Sequence, residues 1–256
     1  MSLVTTIQPD GTPTWIDLRV PDLERALEFY NALFGWEYAP DTAKTGLGTV
    51  CLLRGRPVAA IAQAAPADTS TNPDWTMYFA TADCDGTAKR IADARGSVTL
   101  TAPTDIGEHG RAALAEDPVG ARFGLWEARA HVGCEVVNEP DSLVRNDLVT
   151  PDPEPARAFY TTVFGYSLDG NKTLPDLDFT FLRRPDGHEI GGIFGFPGAP
   201  RSAWATTFEV ADTDAVVGRA VAAGGIADTP EDSPYGRIAT LTDPFGAEFS
   251  VITRPA

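Results

Sequence analysis

The chain has 256 residues, 43% hydrophobic and 22% charged, which is enough for two domains of ordinary size, each with its own core. Its formal charge of −16, from 36 acidic against 20 basic side chains, excludes nucleic acid and anionic membrane as partners, because phosphate surfaces need a surplus of Lys and Arg. No apolar run approaches the ~20 residues of a membrane span, and the opening MSLVTTIQPDGTP has neither a basic nor a hydrophobic stretch. Cys51, Cys84 and Cys134 form no CxxC or paired framework, so the expectation is a cytoplasmic protein with free thiols.

Taken in chain order, residues 15–20 alternate as a strand and run into Pro21-Asp22, where the aspartate is placed to cap a helix. The apolar stripe of that helix is Leu23, Ala26, Leu27, Tyr30, Leu33 and Phe34, and Gly35 ends it. Three short strands follow, with a turn at Arg54–Pro57. Residues 74–98 read as a second strand and helix, with Cys84 near the helix start, where a thiolate would be stabilised. Residues 110–127 read as two strands about an Asp-Pro-Val-Gly turn. Pro140, within Asn138–Asp141, marks a linker.

The pattern then starts again. RNDLVTPDPEPARAFYTTVFGY (145–166) matches WIDLRVPDLERALEFYNALFGW (15–36) at ten of 22 positions, among them Asp17/Asp147, Phe29/Phe159, Tyr30/Tyr160 and Gly35/Gly165. Residues 203–227 echo 74–98, and 236–253 echo 110–127 with an Asp-Pro-Phe-Gly turn. The chain is a duplication, in ABAB order, of units that each read βαβββ. The predicted class is α+β, with two modules in an N-terminal domain (1–136) and two in a C-terminal domain (137–256).

A strand ending in RVPDLxxAxxFYxxLFGW, paired βαβββ modules and a terminal Asp-Pro-x-Gly hairpin resemble the vicinal-oxygen-chelate superfamily. That group includes glyoxalase I, extradiol dioxygenases and bleomycin-binding proteins, and the tandem form is similar to actinobacterial glyoxalase-like proteins. The resemblance implies two half-open barrels, each with a ligand-holding concave face. It also implies metal ligands at fixed strand positions, which here hold Trp15, Thr76, Ala60 and Gly124, then Arg145, Ala205, Gly192 and Ser250. These are not donors that a transition metal selects. Of the three histidines, His109 reads as a loop residue and His131 as lying just past a strand, and Glu189 is expected on the strand face opposite His188. No metal or other cofactor is expected.

Alternation along the strands gives the inward set. It holds Trp15, Asp17, Tyr78, Arg122 and Trp126 in the first barrel, and Arg145, Asp147, Thr207, Glu209 and Glu248 in the second. Asp17 and Asp147 are candidate acid–base residues, because a carboxylate in an apolar barrel must be paired, raised in pKa or used on a ligand. An aromatic wall with a few polar groups suits an aromatic or amphipathic small molecule. Three readings follow: a metal-independent binding protein, as in antibiotic sequestration; a metal-independent or accessory enzyme on a polyketide or keto substrate; and a metal-dependent lactoylglutathione lyase or dioxygenase, against which the ligand positions weigh. The chain is read as a monomer or homodimer.

Overall fold

A computed structural model describes residues 3–39, 46–65, 73–94, 97–170, 173 and 176–255. The first module runs β1 (Pro13–Val20), α1 (Leu23–Phe34), β2 (Glu37–Tyr38), β3 (Thr49–Leu53) and β4 (Arg56–Gln63). The second runs β5 (Trp75–Ala80), α2 (Cys84–Asp93), β6 (Val98–Ile106), β7 (Gly110–Glu116) and β8 (Arg122–Ala128). The third is β9 (Ser142–Thr150), α3 (Pro153–Phe164), β10 (Ser167–Gly170), β11 (Phe179–Arg183) and β12 (Glu189–Gly195). The fourth is β13 (Ala203–Glu209), α4 (Thr213–Ala222), β14 (Ile226–Ala227), the short β15 (Glu231–Ser233), β16 (Gly236–Thr242) and β17 (Glu248–Thr253). The architecture is α+β, with two halves of two βαβββ modules each.

The local chemistry explains the repeated strand–helix entry. Asp22 is extended and its carboxylate accepts from the Arg25 amide, satisfying one of the helix's orphan donors. Gly35 and Gly165 close α1 and α3 at φ 66° and 70°, a left-handed conformation that glycine adopts without a Cβ clash. In α3 the Asp152 side chain makes no cap bond, and proline at the helix start supplies a preset φ instead.

Each half builds its own sheet. The strand orders are β2-β3-β4-β1-β5-β8-β7-β6 and β10-β11-β12-β9-β13-β17-β16-β14. The two modules of a half join through their first strands: β1 pairs antiparallel with β5, as β9 does with β13. The modules of one half therefore share one curved sheet, whose concave face forms between them.

Behind the sheets, the Phe-Tyr helices reach across to the opposite half. The Tyr30 hydroxyl donates to Asp243 Oδ2 at 3.2 Å and accepts from Trp75 Nε1 at 3.2 Å. Its repeat Tyr160 donates to Asp117 Oδ2 at 2.9 Å and accepts from Trp204 Nε1 at 2.8 Å. Asp117 and Asp243 are the aspartates of the two Asp-Pro-x-Gly turns, and each spends its other oxygen on two amides of its own turn. Trp36 Nε1 holds the Asp141 carbonyl of the linker, while Tyr166 holds the Gly11 carbonyl ahead of β1. Phe34 packs on Phe208 and Phe79 on Phe164, both with ring centroids near van der Waals contact. The aromatic stripe of the repeat is thus the seam between halves as well as helix core. These buried polar groups are fully paired, which is what makes such a seam specific.

Candidate functional site

The concave faces of the two halves differ. The concave face of the C-terminal half, with N-terminal residues such as Val4 and Thr14 along one side, forms a cavity of about 660 Å³. The N-terminal half retains about 230 Å³. Register shows why. Trp15 stands opposite Tyr78, and Arg145 opposite Thr207. Tyr78 is beside Gly124, Thr207 beside Ser250, and Trp126 corresponds to Ile252. Three aromatic side chains fill the first barrel where arginine, threonine and isoleucine line the second. Trp15 is 2% exposed and is closed in by the His131 ring at 4.3 Å.

In the N-terminal cavity, Trp15, Asp17, Tyr78 and Trp126 line one wall, as the alternation predicts. The Tyr78 hydroxyl donates to Asp17 Oδ2 at 2.9 Å. Burial pushes the Asp17 carboxyl up to about 6, with Tyr78 and Arg19 partly opposing it. Burial likewise pushes His131 down to about 4, so it is neutral at pH 7. Arg122 does not reach this cavity: at the solvent end of β8 it is exposed and pairs with Glu116 at 3.3 Å. Cys84, at the helix start where a thiolate would be stabilised, is buried; burial and then Glu127 push its thiol up to about 12.

In the C-terminal cavity, Arg145, Asp147 and Thr207 line the wall. Arg145 Nε donates to Asp147 Oδ2 at 2.7 Å and Nη1 to Glu189 Oε1 at 2.9 Å, while Arg183 takes the other Glu189 oxygen at 3.3 Å. The guanidinium lies over the rings of Phe179 and Phe181 at 5.6 and 5.5 Å. Burial raises the Asp147 carboxyl above its ordinary value, with Arg145 opposing. Burial works against the Arg145 charge, but its two carboxylates outweigh it and hold the guanidinium above its usual range. Two predicted members are placed elsewhere. Glu209 is tied to Arg254 at 2.5 Å, and it is Arg254 that lines the cavity. Glu248 is exposed at the first position of β17, before that strand turns inward to Ile252.

Several lining residues lay outside the sequence reading. Phe179 and Phe181 alternate along β11, a signal visible in DFTFL, but the turn that sets their face is not. Glu189 lines the wall, where it pairs with Arg145 at 2.9 Å. Val4, Gln8 and Thr12 come from the N-terminal arm, pinned by Val4 N to Glu135 O at 3.0 Å and Gly11 N to Ala80 O at 2.8 Å. No local pattern places a chain start over the other half's barrel.

The described residues present no set that fits a divalent metal. Among the described residues no three His, Cys, Asp or Glu side chains converge as a ligand set. Asp147 lies opposite Gly192 and Ala205, Asp147 and Glu189 both serve Arg145, and Asp186, which accepts from the His188 amide, serves Arg184. Three oxygen or imidazole donors aimed at one point are what such an ion requires.

The chain matches the family model for the Glyoxalase/Bleomycin resistance protein/Dioxygenase superfamily at residues 12–125 and 136–251. It is 39% identical over 253 residues to CFP32 of Mycobacterium tuberculosis, provisionally named a glyoxylase, covering 96% of this chain and 95% of that one. It is 38% identical over 261 residues to the anthracycline biosynthesis protein DauV of Streptomyces sp. strain C5, covering 94% and 93%. The fold is shared with the 2,3-dioxygenase LapB of Pseudomonas sp. KL28, at TM-score 0.62, 16% identity and 96% and 95% coverage. It is also shared with a Mn(II)-bound glyoxalase of Novosphingobium aromaticivorans, at TM-score 0.63, 16% identity and 95% and 83% coverage. With its duplicated βαβββ modules and matches in both halves, the chain belongs to the Glyoxalase/Bleomycin resistance protein/Dioxygenase superfamily.

Proposed function

We propose that this protein binds a planar, largely apolar small molecule in its C-terminal barrel without a metal ion. The observation that carries this reading is the contrast between barrels: one filled by Trp15, Tyr78 and Trp126, the other left open at about 660 Å³. A cavity of that size is in the range of drug-sized ligands. Phe179, Phe181, Ile190 and Ile252 offer apolar surface, and Arg145, Asp147 and Glu189 gather the polar contacts on one wall. Placing hydrogen bonds at one end and aromatic surface around the rest is how such a site orients an amphipathic molecule. The kinship with anthracycline biosynthesis proteins supports a polycyclic aromatic polyketide as the ligand class. Sequestration or delivery of that molecule is the function, in the cytoplasm, with the chain acting as a monomer or homodimer.

Asp147 favours a second reading, a metal-independent enzyme on a keto substrate. It is a carboxylate raised by burial, in the wall of the cavity. Such a group can take a proton from carbon next to a ketone. Titration of EDTA-treated protein with an anthracycline aglycone, followed by mass spectrometry of the recovered compound, tests both. Saturable binding with the compound unchanged is expected. A changed compound, with the change lost in D147N, moves the assignment to the enzyme, and binding that needs added metal defeats both readings.

A further inference from the structure

Residues 3–8 read Leu-Val-Thr-Thr-Ile-Gln, and the β-branched side chains from Val4 to Ile7 favour extended backbone. The stretch runs beside the C-terminal barrel, with Val4 and Gln8 in the cavity wall. Its two ends are held very differently. Toward β1, Gly11 N donates to Ala80 O and Ala80 N returns to Thr12 O, both at 2.8 Å, while Ala82 N donates to Asp10 Oδ1 at 2.7 Å. The Tyr166 hydroxyl donates to Gly11 O and the buried Arg184 to Thr12 Oγ1, each at 2.5 Å. This end is also closely packed: Gly11 has φ 76°, and a Cβ there would lie 2.7 Å from the Tyr166 hydroxyl.

The outer end has one backbone hydrogen bond, Val4 N to Glu135 O at 3.0 Å, beside a single antiparallel bridge of Leu3 with Val136. Between the ends, Thr5, Thr6 and Ile7 are exposed, and Gln8 Nε2 donates to Thr6 O, within the stretch itself. Among the described residues, none from 3 to 8 joins the hydrophobic core. The stretch that corresponds in the repeat, 133–138, is tied along its length instead. There Cys134 N donates to Thr14 O at 2.8 Å, Glu135 N to Pro57 O at 2.7 Å and Asn138 N to Leu143 O at 2.9 Å. A segment with exposed side chains and one hydrogen bond to the body opens far more readily than the fold around it.

We propose that residues 3–8 are a strap over the open barrel, which swings from its anchored end at Pro9–Gly11 to pass the ligand and closes at the Leu3–Val136 latch. This rests on the reading that the barrel binds a small molecule, and it assigns the strap control over how fast that molecule enters and leaves. Closed, the strap sets Val4 and Gln8 against the ligand; open, it frees that side of the cavity.

The test locks the latch. Leu3 and Val136 stand opposite each other, flanked by the Val4–Glu135 hydrogen bond, a pairing with Cα atoms about 4.5 Å apart that a disulfide can span. Neither residue lines the cavity. The double variant Leu3→Cys, Val136→Cys is oxidised with diamide, the cross-link confirmed by peptide mass, and binding of an anthracycline aglycone followed by stopped-flow fluorescence. Oxidation should slow both association and dissociation by roughly tenfold or more, with little change in Kd, and reduction should restore both rates. Val4→Pro, which removes the latch donor, should speed both rates, whereas loss of a simple ligand contact would speed dissociation alone. Thermal melts confirm that the variants are folded. Equal rates in the oxidised and reduced forms, a Val4→Pro effect confined to dissociation, or a pair that does not cross-link overturns the strap and leaves the ligand reading standing. Failure of the aglycone to bind the unaltered protein defeats that reading, and the strap with it.

Discussion

The two halves keep the same frame and differ in what they put inside it. Behind the sheets the duplication is nearly symmetrical. Tyr30, Asp243 and Trp75 on one side answer Tyr160, Asp117 and Trp204 on the other. Inside the barrels, Trp15, Tyr78 and Trp126 stand against Arg145, Thr207 and Ile252. The seam needs both copies, since each tyrosine reaches the other half's turn. The barrel floors contribute no such reciprocal contact, so one could become packed core while the other kept its cavity.

The comparison can be broken most severely by making the second barrel like the first. A Cβ at Gly124 would lie 2.0 Å from the Tyr78 ring, so the large side chain depends on the glycine beside it. The double variant Thr207→Tyr, Ser250→Gly copies that pair into the C-terminal barrel. Ligand affinity should fall by roughly a hundredfold or more, because the cavity is filled. Unchanged affinity by calorimetry would mean that the ligand sits elsewhere.

The seam ranks next. Asp117→Ala strips the acceptor from Tyr160 and from the amides of Val119 and Ala121, all buried or partly so. Stability should drop by about 3 kcal/mol in urea, with Asp243→Ala giving a similar loss. A clear asymmetry between the two would show that the seam is not shared equally.

The fold was legible because the repeat was written in the residues that build it: the Asp-cap, the Phe-Tyr stripe and the Asp-Pro-x-Gly turns recur in order. The function of those residues was less so. Tyr30 and Tyr160 read correctly as packing residues, but helix periodicity does not say which sheet a helix packs on. The inward positions of the central strands followed from alternation, and so Asp17, Tyr78, Trp126, Arg145, Asp147 and Thr207 came out lining cavities. Alternation loses its meaning at strand ends, where Arg122 and Glu248 lie in solvent. It also cannot see ion pairs made across strands, such as those that tie Glu189 to Arg145 and Glu209 to Arg254.

Gly124→Ala sharpens the contrast more modestly, costing about 1–3 kcal/mol through overpacking against Tyr78, whereas Ser250→Ala in the open barrel should cost little. Proton linkage gives a further effect of similar or smaller size. Asp17 and Asp117 rise from 3.8 to about 6 on folding. Between about pH 4 and pH 6 the unfolded chain releases these protons while the folded chain keeps them. Stability therefore falls as pH rises through that window, by at most about 3 kcal/mol per carboxyl, and is flat with respect to these groups above it. Asp17→Asn should flatten its share of the slope in urea titrations across that range. The smallest effect belongs to Arg122→Ala and Glu248→Ala: both side chains are exposed, so ligand affinity should be unaltered by fluorescence titration.

Native mass spectrometry of the chain with an anthracycline aglycone, before and after EDTA, tests the central claim most directly. One adduct per chain that survives EDTA, and is missing from the Thr207→Tyr, Ser250→Gly variant, is the predicted result. Two adducts per chain, or one that appears only with a stoichiometric divalent metal, would contradict it.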